Sequence, residues 1–196
     1  MIDPIMIEDH WPRIAAIDFG WDHPTALVWC AVDNESETFY IYDCYRASKA
    51  SPMVHAQNIK MRPHFIPIAY PHDGNRRDSM GNPGLADQYR NLGCNFMMEH
   101  FTNPPALGAV KGSNSVEEGL MAMLQSIENG KFKVFSTLSD WFEEFRMYHR
   151  KDNKVVPLRD DLMSATRYAF QSQRFAVAGE DPEWTNDVEY RNYGII

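Results

Sequence analysis

A membrane-spanning stretch is the first thing this sequence lacks: no apolar run approaches the ~20 residues that a bilayer helix needs. Its opening, MIDPIMIEDH, has neither the basic start nor the apolar stretch of a signal peptide. Cysteine is scarce. Cys30, Cys44 and Cys94 are too few and too scattered for a disulfide framework or a zinc knuckle, and all three sit in apolar runs, the pattern of reduced core thiols. These absences read as a soluble, intracellular chain. Positive charge is short as well, with 19 Lys and Arg against 27 Asp and Glu and a formal net charge of −8. That excludes a generic polyanion binder, whose affinity comes mostly from phosphate neutralisation by Lys and Arg. The exclusion is weaker than it looks. Half of the net charge lies in the closing GEDPEWTNDVEYRNYGII, where five acids face only Arg191. Carboxylates gathered round a metal also count as negative although the cation cancels them in the working molecule. Internal repeats and low-complexity segments are absent too.

What is present is enough apolar material for one domain with a real core: 196 residues, 44% of them hydrophobic, with five Trp. The expected division is a domain over 1–178 and an acidic tail over 179–196. Residues 13–19, 25–32 and 38–46 read as three strands joined by short links, with DNESE as the turn between the last two, hence an antiparallel meander. Ser51 and Pro52 open a helix expected to end near Arg62. FIPIAY (65–70) is a short apolar strand, 83–92 a helix closed by Gly93, and NFMMEHF (95–101) another strand. Ser115 and Glu118 make a capping box for a helix that carries Val116, Leu120, Met123, Leu124 and Ile127 on one side. A strand over 131–136, a helix over 139–150, a two-armed basic turn in HRKDNK (149–154) and a last helix over 159–175 follow. Met97, Met98, Met121 and Met123 read as core. A meander followed by strands alternating with helices is an α/β mixed sheet flanked by helices, the strand order of the ribonuclease H-like fold, with the fourth strand beside the first.

The apolar run of the first strand ends on Asp18, and an ionised carboxylate in an apolar setting is costly without a partner. If strands one and four are parallel neighbours, Asp18 and Asp73 share the sheet edge where open α/β sheets place their ligands. Asp160 and Asp161 begin the last helix, whose first turn faces that edge in this fold. Carboxylates converging from distant positions repel, so the arrangement makes sense with hard divalent cations. Two Mg²⁺ or Mn²⁺ ions would activate a water and stabilise the leaving oxygen of a phosphodiester. Taken singly, each of these residues also reads as an ordinary turn residue or helix cap.

The blocks IDFGWDHPTA, YPHDG, KGSNSVEEGLMAMLQSIENGKFKVF and DWFEEFRMYHRKDNKVVPLRDDLMSATRYA resemble the C-terminal nuclease domain of the tailed-bacteriophage large terminase subunit, in its P22-like headful-packaging group. The resemblance covers residues 13–175. It implies a metal-dependent endonuclease that cuts concatemeric double-stranded DNA at the start and end of packaging, in the cytoplasm of an infected bacterial host. Portal protein and the small terminase subunit would be its partners through a larger motor. It also implies Asp18, Asp73 and one of Asp160 or Asp161 as ligands. Many family members carry a further Asp in the last helix where this chain has Ser164, which turns the choice to Asp161, with Asp160 as the cap. No G-x-x-x-x-G-K-[ST] occurs, so the N-terminal ATPase domain is expected to be absent from this chain and the chain to be a nuclease piece of a longer motor protein.

Asp22, His23 and His72 flank the ligand positions and read either as supporting groups or as loop residues. Arg76, Arg77 and Lys111 lie in loops near the same edge and read as phosphate contacts or as solvated surface. The HRKDNK turn is either a DNA contact or gate, or a solubilising turn. Two other functions compete. An actin- or sugar-kinase-like nucleotide-binding domain also starts on an Asp-x-Gly strand end, and needs a second domain and a phosphate-binding glycine loop. A non-catalytic module would use the acidic tail to dock on the portal.

Overall fold

The computed structural model describes residues 1–76, 81, 83–105, 108, 110, 112–151, 154–156 and 158–179. Arg77, Lys111, the centre of the basic turn and the tail from 180 onward lie outside the described residues.

Three strands, β1 (Arg13–Asp18), β2 (Thr25–Asp33) and β3 (Thr38–Ala47), form the expected antiparallel meander. The turn between β2 and β3 is held by the Asp33 carboxylate, which accepts from the Glu35 and Ser36 amides at 3.0 and 3.3 Å. Helix α1 (Pro52–Ile59) follows, then β4 (Ile68–Ala69), α2 (Leu85–Asn91), α3 (Val116–Glu128), β5 (Phe132–Val134), α4 (Ser139–Met147), the small hairpin β6 (Arg150–Lys151) and β7 (Lys154–Val155), and α5 (Asp161–Gln171). The five-stranded sheet has the order β4-β1-β2-β3-β5, with β4 parallel to β1 and β5 parallel to β3.

Between their polar ends, strands β1 and β2 are apolar because both faces of the sheet are covered. Ile14, Ala16, Ala26 and Val28 pack with Leu162, Ala165 and Ala169 of α5 on one face. Ala15, Ile17, Leu27 and Trp29 pack with Ala56 and Ile59 of α1 and Ala86 and Tyr89 of α2 on the other. Three layers result, and α5 is buried along almost its whole length.

Several sequence expectations change for identifiable reasons. The first helix stops at Ile59 because Met61 and Arg62 take shorter amide bonds to Asn58 and Ile59, while the Arg62 guanidinium turns back over the Trp29 ring, 4.2 Å from its centroid. The ladder of β4 is shortened by Pro67, which has no N–H to give. The segment 95–101 is no strand: only Phe96 bridges to Ile68, and the Met97 and Met98 carbonyls accept from the Arg90 guanidinium instead. The box at Ser115 is half formed. Ser115 accepts from the Glu118 amide, but the Glu118 carboxylate goes to Ser113 and Asn103. Helix α3 buries Gly119 and Met123, whereas Val116, Met121, Leu124 and Ile127 are exposed, so its buried face is narrower and rotated from the one the apolar pattern suggests. Met98, at 82% exposure, and Met121, at 58%, are not core; Met123 is.

This packing predicts that Met123→Ala lowers stability by about 2–3 kcal/mol, since a buried side chain leaves a cavity. Leu124→Ala should cost under about 1 kcal/mol, as expected of an exposed position. Urea unfolding of both variants measures the difference, and equal costs would restore the pattern read from the sequence.

Candidate active site

Asp18 is the last residue of β1 and pairs with Ala26, which in turn pairs with Arg46 on β3. Side chains alternate along a strand, so Asp18 shares the face of Ile14 and Ala16, the face covered by α5. The chain then turns back sharply. The Thr25 hydroxyl donates to the Gly20 carbonyl at 2.8 Å and accepts from its amide at 3.2 Å, and a Cβ at position 20 would lie 2.4 Å from the His23 carbonyl oxygen. Only glycine fits there. A second glycine sets the next carboxylate: a Cβ at Gly74 would lie 2.6 Å from the Phe19 ring and 2.7 Å from that of Tyr70. The tight 3-10 turn His72–Asn75, just past the end of β4, therefore packs onto the residue after Asp18 and brings Asp73 near it.

The fourth side of the cleft is the start of α5. Asp161, 8% exposed, is its first residue, and Asp160 precedes it at the cap position. Asp161, Asp73 and Asp160 all lie near enough to Asp18 to act on its charge. Burial raises the Asp18 pKa most, with Asp161, Asp73 and Asp160 adding to it, and together they push it up to about 8. Tyr168, on the same helix as Asp161, lies beside Asp18 and opposes the rise. Asp161 and Asp160 are both raised, chiefly by burial; for Asp161 the neighbouring Asp160 adds to it. The four acids are gathered but not closed: among the described residues, no three His, Cys, Asp or Glu side chains form a ready coordination set.

The flanking residues divide. His23 lies near enough to Asp160 and Asp161 to lower both, and lines a cavity of about 280 Å³ with Asp161, Arg46 and Glu144. Asp22 is exposed, and nothing in the described structure brings it into the cleft. The His72 ring lies edge-on to that of His100, 6.4 Å away. Arg76 is exposed and its amide donates to the Asp73 carbonyl, which puts it at the cleft edge.

The expected capping by Asp160 does not occur: it stands at the N-cap of α5 without a side-chain bond to the helix. The acceptor comes from α4 instead. Glu144 Oε2 takes the Leu162 amide at 2.7 Å, and Glu144 Oε1 is held by Arg46 Nη1 at 3.1 Å. Sequence reasoning missed both Glu144 and Tyr168. Glu144 had a signal, as a carboxylate on the apolar stripe of an amphipathic helix, three residues after Trp141 and four before Tyr148. Tyr168 had a weaker one, lying seven residues after Asp161 on the same helix face.

Comparison with known proteins adds to this geometry. The family profile described as terminase RNaseH-like domain matches residues 15–173. The large terminase subunit of Salmonella phage P22 is 37% identical over 174 residues, covering 88% of this chain and 34% of that protein. The large terminase subunit of Enterobacteria phage LP7 is 36% identical over 168 residues, covering 85% of this chain and 34% of its own length. The chain thus spans about a third of the length of these relatives. The solved structure of the P22 large terminase nuclease domain superposes with a TM-score of 0.80 at 36% identity, covering 90% of this chain and 89% of that one.

The electrostatics of Asp18 predict a pH dependence with a definite sign. Its carboxyl holds a proton to about pH 8 in the folded state but ionises near the ordinary 3.8 when unfolded, so stability falls as pH rises through that window. Asp18→Asn removes the effect. In chelator, the variant and parent should have similar melting temperatures near pH 4, and the variant should melt progressively higher towards pH 8. Thermal melts across that range check this; a constant offset would mean that Asp18 does not carry the shift.

Proposed function

The chain belongs to the terminase RNaseH-like domain family, and from that premise we propose that it is a divalent-metal-dependent endonuclease domain that cuts double-stranded viral DNA during headful packaging. The observation that carries the proposal is the gathering of Asp18, Asp73, Asp160 and Asp161 around one cleft, where three of them bear on the fourth. The donor set fits the group. All four offer hard carboxylate oxygens, which suit Mg²⁺ or Mn²⁺, and the like charges that raise Asp18 are those a divalent cation would relieve. Asp18, Asp73 and Asp161 would hold the ions, with Asp160 alongside. When bound, a metal pair supplies Lewis-acid chemistry, a water made nucleophilic and a leaving oxygen stabilised in phosphodiester hydrolysis.

The rest of the work falls to the chain itself. Its sheet edge presents the carboxylates, Tyr168 stands beside Asp18, and His23 and Arg76 stand at the cleft rim where a phosphate backbone would pass. Arg77 and Lys111 extend the same proposal to residues outside the described structure. A nucleotide-binding reading would call for a second domain and a phosphate-binding glycine loop, and family membership favours the nuclease. Portal protein, the small terminase subunit and an ATPase domain are proposed partners through the longer protein that the relatives represent. The host cytoplasm is the proposed place of action, and 179–196 a proposed acidic tail.

Asp18→Asn and Asp73→Asn should each abolish plasmid cleavage in Mg²⁺ or Mn²⁺ with the far-UV circular dichroism unchanged, because each removes a ligand and keeps the shape. Asp161→Asn should follow them. Near-normal cleavage by a folded variant would sink the assignment. Binding of duplex DNA by the chain itself should be weak and steeply salt-dependent, since an acidic surface offers few phosphate contacts. Filter binding across a salt series tests this, and tight binding at physiological salt would contradict it.

A further inference from the structure

We propose that Glu144 is a positioning residue of the nuclease centre, which takes over the capping of α5 and so fixes Asp161 opposite Asp18. The inference rests on the nuclease reading above and adds a residue to it. The first amides of a helix have no partner within the helix and need an acceptor. At α5 the local candidate, Asp160, makes no such bond. An N-cap side chain would accept from the second or third helical amide, and Glu144 does so from outside the helix, taking the amide of Leu162, the second residue of α5, at 2.7 Å. Asp160 is thereby left free to face the cleft.

What holds Glu144 decides what this cap can do. Its side chain is 0% exposed, and its other oxygen is bound to Arg46. The same guanidinium reaches Asp140 at 3.2 Å and Glu143, so three acids of α4 close on one cation of β3. Arg46 stands in the same cross-strand row as Asp18, with Ala26 between them. The path from one end of the cleft to the other therefore runs Asp18, Ala26, Arg46, Glu144, the Leu162 amide and Asp161, every step a backbone pairing, a peptide bond or a charge-assisted bond. A second link between α4 and α5, the buried bond from Trp141 Nε1 to Thr166 Oγ1 at 2.8 Å, lies one turn further along and keeps the helices in register. Carboxylates that repel one another would spread apart on a loosely held helix start, and a buried charge-assisted bond is strong enough to resist that.

The test uses metal-free chain and the variants Glu144→Gln, Glu144→Leu and Asp160→Ala. Hydrogen exchange of the Leu162 amide, followed by NMR, should show protection in the parent, in Glu144→Gln and in Asp160→Ala, and at least ~10-fold faster exchange in Glu144→Leu. Calorimetry with Mn²⁺ alone should give an affinity ~10 to 100-fold weaker for Glu144→Leu, the range found when a group supporting a ligand is lost. Its kcat for plasmid cleavage should fall with KM for DNA unchanged, and Glu144→Gln, which keeps the acceptor, should recover to within a few-fold of the parent. A folded Glu144→Leu with parental Mn²⁺ affinity and kcat overturns the proposal. So does an unprotected Leu162 amide in the parent, which decides the matter even where Glu144→Leu does not fold. Failure of the nuclease reading looks different: the parent itself binds no Mn²⁺ and leaves plasmid uncut, and the positioning role falls with it.

Discussion

A carboxylate at the end of a strand covered on both faces is the constraint around which the rest of this molecule is arranged. Asp18, half-buried, follows the buried run of β1 on the α5 side of the sheet, where desolvation is the largest effect opposing its charge. Three further acids deepen the cost. A fold optimised for stability would place an apolar residue here, and the Tyr168 hydroxyl offsets only part of the penalty. The cost is understandable when the site is read as built to take up positive charge.

Holding like charges together requires rigid supports, and Asp18, Asp73 and Asp161 each have one of a different kind. Asp18 is fixed by the β1–β2 ladder and by the Gly20–Thr25 closure behind it. Asp73 is fixed by a tight turn that packs on Phe19. Asp161 depends on the start of α5, and that start is tied to β3 through α4 by Arg46 and Glu144. The supports come from strand, turn and helix, yet all refer to the central strands, so one sheet keeps the cleft in shape.

The electrostatic economy of the α4 side complements that of the cleft. Arg46 is shared by Asp140, Glu143 and Glu144, and Arg159, just before Asp160, is paired with Glu143 at 3.0 Å. The outer pairs are exposed and contribute little each. Glu144 differs because it is buried, and removing a partner from a buried pair leaves an uncompensated charge. Stability and site geometry are thus coupled at one buried residue beside Asp161.

Local pattern in the sequence was enough to determine the meander, the α/β order and the places of Asp18, Asp160 and Asp161 at element ends, whereas the β1–β4 pairing was expected from the fold type and Asp73 lies within the turn beyond β4. Strand alternation, a Pro at a helix start and an apolar run broken by a carboxylate are written within a few residues, and backbone geometry reads them directly. The tertiary structure alone decided the rest. Which stripe of α3 is buried depends on how α5 meets it, and so Leu124 and Ile127 stay outside although their spacing is that of a core face. The segment 95–101 has strand-like composition, but the Arg90 guanidinium takes two of its carbonyls. Asp160 has the residue type and place of a cap, and Glu144, sixteen residues earlier, does the capping. In each case the deciding partner lies far along the chain or on another element, and a hydrogen bond to a distant group leaves no periodicity in the sequence that forms it.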